Sequence, residues 1–116
     1  MSTLEVTAHM TIRKGKMDGF KRKAAEIIEQ AKQLDTKTLR YDWFINGDQT
    51  ACEVRELYSS PLGLLEHRMH VGKALDELFA EFADDHAVTV YGEPTPELLA
   101  LAAHTKGVDI TWYSPL

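Results

Sequence analysis

The stretch Glu56-Leu57-Tyr58-Ser59-Ser60-Pro61-Leu62-Gly63-Leu64-Leu65-Glu66-His67 holds the join on which the reading of this chain turns. Its first residues end a period-two run in which Cys52, Val54, Glu56 and Tyr58 face opposite to Glu53, Arg55 and Leu57. Ser60 stands where a helix cap belongs, and Pro61 takes the first helical position, where a missing amide hydrogen costs nothing. A strand over Ala51 to Tyr58 therefore passes directly into a helix. The stripe Val71, Leu75, Leu78, Phe79 and Phe82 carries that helix onward, and Gly72 within it predicts a bend between two shorter helices.

Upstream, Leu39, Tyr41, Trp43 and Ile45 alternate with Arg40, Asp42, Phe44 and Asn46, and Asn46-Gly47-Asp48 supplies residues that tolerate positive φ. A hairpin follows. Before it, Phe20, Ala24, Ile27, Ile28, Ala31 and Leu34 share one stripe of a helix from Met17 to Leu34. Leu4, Val6, Ala8, Met10 and Ile12 alternate with polar residues in a half-buried strand. Downstream, Ala87 to Gly92 reads as a fourth strand. The order βαββαβ is the split βαβ arrangement of an α+β, ferredoxin-like fold, with both helices on one face of an antiparallel sheet. Residues 4–92 hold this unit; in the extension over 93–116, Thr95 caps a short helix and Val108, Ile110 and Trp112 alternate as a last strand.

A chain of 116 residues has room for one core. With 44% hydrophobic and 27% charged residues it can bury that core, and its small size favours self-association. A net charge of −5 argues against nucleic acid or an anionic membrane as partner, and Lys14, Lys16, Lys21, Arg22 and Lys23 read as a solvated helix face. No apolar run is long enough to span a bilayer and no secretory pattern opens the chain, so a cytoplasmic location is expected. Cys52 is alone and reads as a small buried hydrophobe.

The stretch from Glu56 to His67 resembles the most recognisable part of the antibiotic biosynthesis monooxygenase (ABM) family: a strand ending in an acid and an aromatic, a Ser-Pro helix start, then a helical histidine. The first strand entering Lys14-Gly15-Lys16 before a long helix is similar too. The resemblance covers about residues 4 to 92. It implies a homodimer of the dimeric α+β barrel type, with a pocket in each subunit between sheet and helices. It further implies a monooxygenase that oxidises a small phenolic or quinol-type compound with molecular oxygen and no cofactor. Such chemistry requires a substrate that supplies the electrons and a protein that deprotonates and orients it. Haem-degrading relatives use an asparagine on the first strand, where this chain has Ala8, which turns the reading away from haem.

His67 matches the helical histidine of the motif and is the expected catalytic residue, against the alternative of a helix-to-loop bridge. His70 lies three residues on, so the two imidazoles can converge on one ligand. They lack a recognisable third and fourth ligand, and no metal is expected. Tyr41 and Trp43 share a strand face and are expected to bind a ring oxygen, as is Tyr58 at the strand end. Arg55 and Glu56 face opposite ways and read as cross-strand partners. His9, His86 and His104 read as surface or interface residues. The second reading is a non-catalytic dimer, binding a small ligand or serving a stress-related role, with the extension covering the pocket or crossing to the other subunit.

Overall fold

The computed structural model describes residues 2–116. β1 (Leu4–Ile12), α1 (Met17–Leu34), β2 (Thr38–Ile45), β3 (Ala51–Tyr58), α2 (Pro61–Glu81) and β4 (Ala83–Tyr91) follow one another as expected, then α3 (Pro96–His104) and β5 (Asp109–Tyr113). The strands form one sheet in the order β2-β3-β1-β4-β5, antiparallel except for β5, which lies parallel to β4. This is the ferredoxin-like α+β arrangement with an added helix and strand.

The alternation of β1 puts Leu4, Val6, Ala8, Met10 and Ile12 on one face, all buried. α1 meets that face through Phe20, Ala24, Ile27 and Ala31, a spacing of four, three and four that keeps them on one helical stripe. α2 adds Val71, Ala74 and Leu78 to the same core. α3 covers the other end of the same face, where Leu98 packs with Leu4, Val6, Tyr58 and Val90. The helix-free face carries Phe44, Tyr91 and Tyr113, all exposed, with the two tyrosine rings stacked at 5.5 Å.

α2 is a single helix that runs through Gly72 without a break. A Cβ at Gly72 would meet nothing within 4 Å, so the glycine is not required by packing. Its start departs from expectation as well. Ser60 makes no side-chain cap; its carbonyl instead accepts from Gly63 N at 2.9 Å. Gly63 is the glycine that packing demands, because a Cβ there would lie 2.8 Å from Tyr58 Cβ and 3.1 Å from Lys37 Cβ. At the far end, Arg13 donates to the Ala80 and Phe79 carbonyls at 2.9 and 3.0 Å and grips Asp84 through two further bonds at 3.0 Å. The guanidinium thus satisfies carbonyls that the last turn leaves free.

Two strand details also differ. In the β2–β3 hairpin the positive φ falls on Gln49 (φ 60), while Asn46 Oδ1 accepts from Thr50 N and Ala51 N, both at 2.9 Å. A register shift between Thr38 and Arg40 takes Leu39 out of the apolar phase, leaving it 61% exposed. β4 begins at Ala83, earlier than the apolar residues indicate, because the polar run Ala83-Asp84-Asp85-His86 is held by pairing with β1 and by Arg13.

Candidate functional site

All five strands contribute to one cavity between the sheet and helices α2 and α3, about 90 Å³ in volume and partly open to solvent. Tyr41 and Trp43 of β2, Glu56 of β3, His67 and Arg68 of α2, and His86 of β4 are the polar or aromatic part of its lining. The remainder is aliphatic except for Thr105 after α3 and Trp112 at the β5 end. Few polar groups in an apolar recess is the usual make-up of a small-molecule site.

His67 is buried on the inner face of α2, and its Nδ1 lies 2.7 Å from Oδ2 of Asp35. A carboxylate only accepts, so Nδ1 carries the proton and the neutral ring keeps its lone pair on Nε2. Burial pulls the His67 pKa down, and the Asp35 hydrogen bond and charge only partly oppose this. The ring is therefore neutral near pH 7, with Nε2 free to accept a hydrogen bond or a proton. Tyr41 meets it edge-on, with centroids 4.5 Å apart.

The two imidazoles do converge, but on Asp35. His70 Nδ1 is 2.6 Å from Oδ1 of the same carboxylate, and Thr38 Oγ1 donates to Oδ2 at 2.8 Å. Burial pushes Asp35 upward, yet the bonds from His70, His67 and Thr38 outweigh it and hold the carboxyl below its ordinary value. Asp35, Glu66 and His70 also bring ligand atoms within 4.8 Å of one another. Every carboxylate oxygen there already accepts an internal bond: Glu66 takes Thr36 N, Thr36 Oγ1 and Lys37 N at 2.8, 2.6 and 3.2 Å. That cluster is an anchor tying the α1–β2 turn to α2.

Glu56, read from the sequence as a cross-strand partner, is instead bonded within its own strand. It shares the inner phase of β3 with Cys52, Val54 and Tyr58, is 8% exposed, and accepts a hydrogen bond from the Tyr58 hydroxyl. Burial raises its pKa to about 7, with Tyr58 and the charge of Arg68 restraining the rise. A carboxyl poised there can give or take a proton at neutral pH. Trp43 adds a buried Nε1 donor with no acceptor among the described residues. Such a group costs about 1–3 kcal/mol until a ligand or water meets it.

Of the residues expected at the site, His67, Tyr41 and Trp43 line the cavity; Tyr58 stands behind Glu56, and His70 behind Asp35. His86, read as a surface or interface residue, is in the cavity wall, stacked on Phe79 at 4.1 Å, and burial with the charge of Arg68 lowers its pKa to about 4. Cys52 is buried and its thiol is pushed up to about 11, principally by that burial, so it is inert near neutral pH. No helix among the described residues is long and apolar enough to cross a membrane.

No protein-family model matches the chain, and no curated protein matches it. Solved structures do. MupZ from Pseudomonas fluorescens is similar over 100% of this chain and 92% of its own, with a TM-score of 0.79 and 24% identity. Rv0793 from Mycobacterium tuberculosis is similar over 81% of this chain and 96% of its own, with a TM-score of 0.69 and 22% identity. A protein described as an antibiotic biosynthesis monooxygenase matches over 80% of this chain and 99% of its own, at a TM-score of 0.69 and 21% identity. The chain thus has the fold of structural neighbours that carry the antibiotic biosynthesis monooxygenase name, over most of its length.

Proposed function

We propose that the cavity is the active site of a cofactor-independent monooxygenase acting on a small phenolic or quinol-type molecule. The observation that carries this is the pairing of two proton-handling groups in one apolar cavity: neutral His67 oriented by Asp35, and Glu56 poised near pH 7 under the Tyr58 hydroxyl. His67 Nε2 removes the substrate's acidic proton. Trp43 Nε1 and Tyr41 stand ready for the oxyanion that results. The anion reduces molecular oxygen, and Glu56 protonates the oxygen that leaves. Where a ring CH2 becomes a carbonyl, one oxygen atom enters the product and the other departs as water, so the substrate supplies every electron.

The proton-handling half of this reading rests on geometry, and the oxygen half rests on likeness to structures bearing the monooxygenase name. A redox-neutral isomerisation of the same class of substrate is the second reading. It is favoured by Glu56, since one acid and one base in a dry cavity complete a proton shift with no electron acceptor. The cavity's partial opening to solvent, with His67 in its lining, weighs against a purely structural or non-catalytic dimer. A homodimer is proposed nonetheless, joined through the helix-free face that exposes Phe44, Tyr91 and Tyr113.

Oxygen uptake with a panel of quinols, naphthols and anthrones tests the proposal, comparing the natural chain with His67→Ala and Glu56→Gln. Uptake by the natural chain that falls in both variants is expected. Equal uptake in all three proteins overturns it, and product formed without oxygen consumption selects the isomerase reading.

A further inference from the structure

We propose that Arg68, with His86 beside it, is the binding site for a carboxylate carried by the substrate, so that the cavity takes a mostly apolar carboxylic acid. This rests on reading the cavity as a substrate pocket and names the class of molecule it holds.

Arg68 and Glu56 are the two residues with formally charged side chains in an otherwise uncharged, mostly apolar lining. Arg68 is partly buried, yet it enters no hydrogen bond or ion pair among the described residues, whereas Arg13, Lys23, Lys37 and Arg40 each have a carboxylate partner. A guanidinium withdrawn from water without a partner is costly, and an anion that arrives with the ligand removes the cost. The acidic groups that share its second, more polar recess do not serve: Asp84 is held by Arg13, and neither Asp76 nor Asp85 lies within ion-pair distance. Arg68 therefore stands at the boundary between a polar recess and an apolar cavity, the place where an amphipathic acid presents its head group.

The neighbours fit the same ligand. His86 lines both spaces and is fixed against Phe79 by stacking, which leaves a neutral imidazole beside the guanidinium to donate one more hydrogen bond. Glu56, largely held by Tyr58 and poised near neutrality, can be protonated and so need not repel a second carboxylate. From β2 to β5 the cavity crosses four strand spacings, roughly 19 Å at the usual separation. Its volume is about 90 Å³, and the α3 and β5 part of its lining is Leu98, Leu101, Ile110 and Trp112. A head group at Arg68 thus leaves the apolar remainder of the ligand to meet the side chains of α3 and β5. The planar fork of arginine suits a carboxylate through paired N–H donors.

The test uses the full chain and binding alone, so it is readable whether or not oxygen is consumed. Trp43 and Trp112 both line the cavity and report occupancy by fluorescence. Decanoate is titrated against decanol and 2-naphthoate against 2-naphthol, with the natural chain, Arg68→Gln and Arg68→Lys, each variant first shown to keep its far-ultraviolet dichroism. The natural chain is expected to prefer each acid by about ten- to a hundredfold, the range of a charge-assisted contact. Arg68→Gln should abolish that preference while leaving decanol unchanged, and Arg68→Lys should retain part of it. An acid-to-alcohol ratio equal in the natural chain and Arg68→Gln overturns the site. Decyl phosphate binding more tightly than decanoate overturns the choice of carboxylate as the anion.

Discussion

Nδ1 of His67 lies 2.7 Å from Oδ2 of Asp35, and the side chains are 3% and 1% exposed. A buried carboxylate that accepts from two imidazoles and a hydroxyl fixes the His67 tautomer and the ring plane together. Asp35→Asn keeps the shape but sets an amide N–H against one of the two Nδ1–H donors. We expect turnover to fall about a hundredfold or more and the melting temperature to drop; a kcat within twofold of the natural chain would remove Asp35 from the mechanism. The lowered Asp35 pKa gives stability that is present above the ordinary carboxylate range and is lost as pH falls through the folded value.

Glu56 has the opposite sign. Its folded pKa, about 7, lies above the ordinary value of 4.5, so the native state binds more protons between those values. Its contribution is complete below pH 4.5 and is lost as pH rises through 7. The change amounts to about 3 kcal/mol at most. His86 and His67, with lowered values, lose stability on acidification and mask this in the natural chain. Urea denaturation of the natural chain and Glu56→Gln across pH 4 to 8 therefore isolates it. The variant should gain relative stability as pH rises, and parallel curves would show that Glu56 titrates normally.

The Tyr58 hydroxyl restrains the rise in the Glu56 pKa by bonding its ionised form. In Tyr58→Phe the carboxyl should titrate above its natural midpoint, moving the corresponding limb of the pH–rate profile to higher pH. Infrared difference spectra of the carboxyl band check this directly. An unmoved midpoint would mean that the hydroxyl is only a packing group.

Strand order and the place of His67 were legible because they depend on local signals: period-two runs, the Ser60-Pro61 helix start and the motif around it. Glu56 was half legible. Its parity with Cys52, Val54 and Tyr58 put a carboxylate on an apolar face, and that conflict marked it as a candidate. Asp35 and Arg68 carried no such mark. One ends α1 and the other follows His67 on α2, and their meaning arises only when the helices pack side by side over the sheet. His86 was lost with the start of β4, because Asp84 and Asp85 give that strand a loop-like composition until Arg13 pairs with it.

The two glycines of α2 offer a matched pair. At Gly63 a Cβ would strike the Tyr58 Cβ at 2.8 Å, displacing the ring that holds Glu56. Gly63→Ala should destabilise by about 1–3 kcal/mol and disturb the Glu56 titration. At Gly72 the same methyl meets open space, and Gly72→Ala should stabilise by about 0.5–1 kcal/mol by removing backbone freedom from the unfolded chain. Thermal melts of both variants decide the matter; equal shifts would contradict the packing.

A chain ending at Glu93 removes α3 and β5 together. Leu98 is 1% exposed against Leu4, Val6, Tyr58 and Val90, and β5 covers the edge of β4 from Ala87 to Tyr91. The cavity would lose Leu98, Leu101, Ile110 and Trp112, the wall opposite its polar end. The four remaining strands keep their own pairing and the α1–α2 core, so the shortened chain should fold, at a cost of several kcal/mol given that one buried leucine alone is worth about 2–5. It should also bind an apolar dye such as anilinonaphthalene sulfonate strongly. Because β5 pairs with β4 of its own chain, the number of subunits found by light scattering should match that of the full chain. Unchanged melting and dye binding would mean that α3 is no wall, and a smaller number of subunits would mean that the extension holds a partner rather than the substrate.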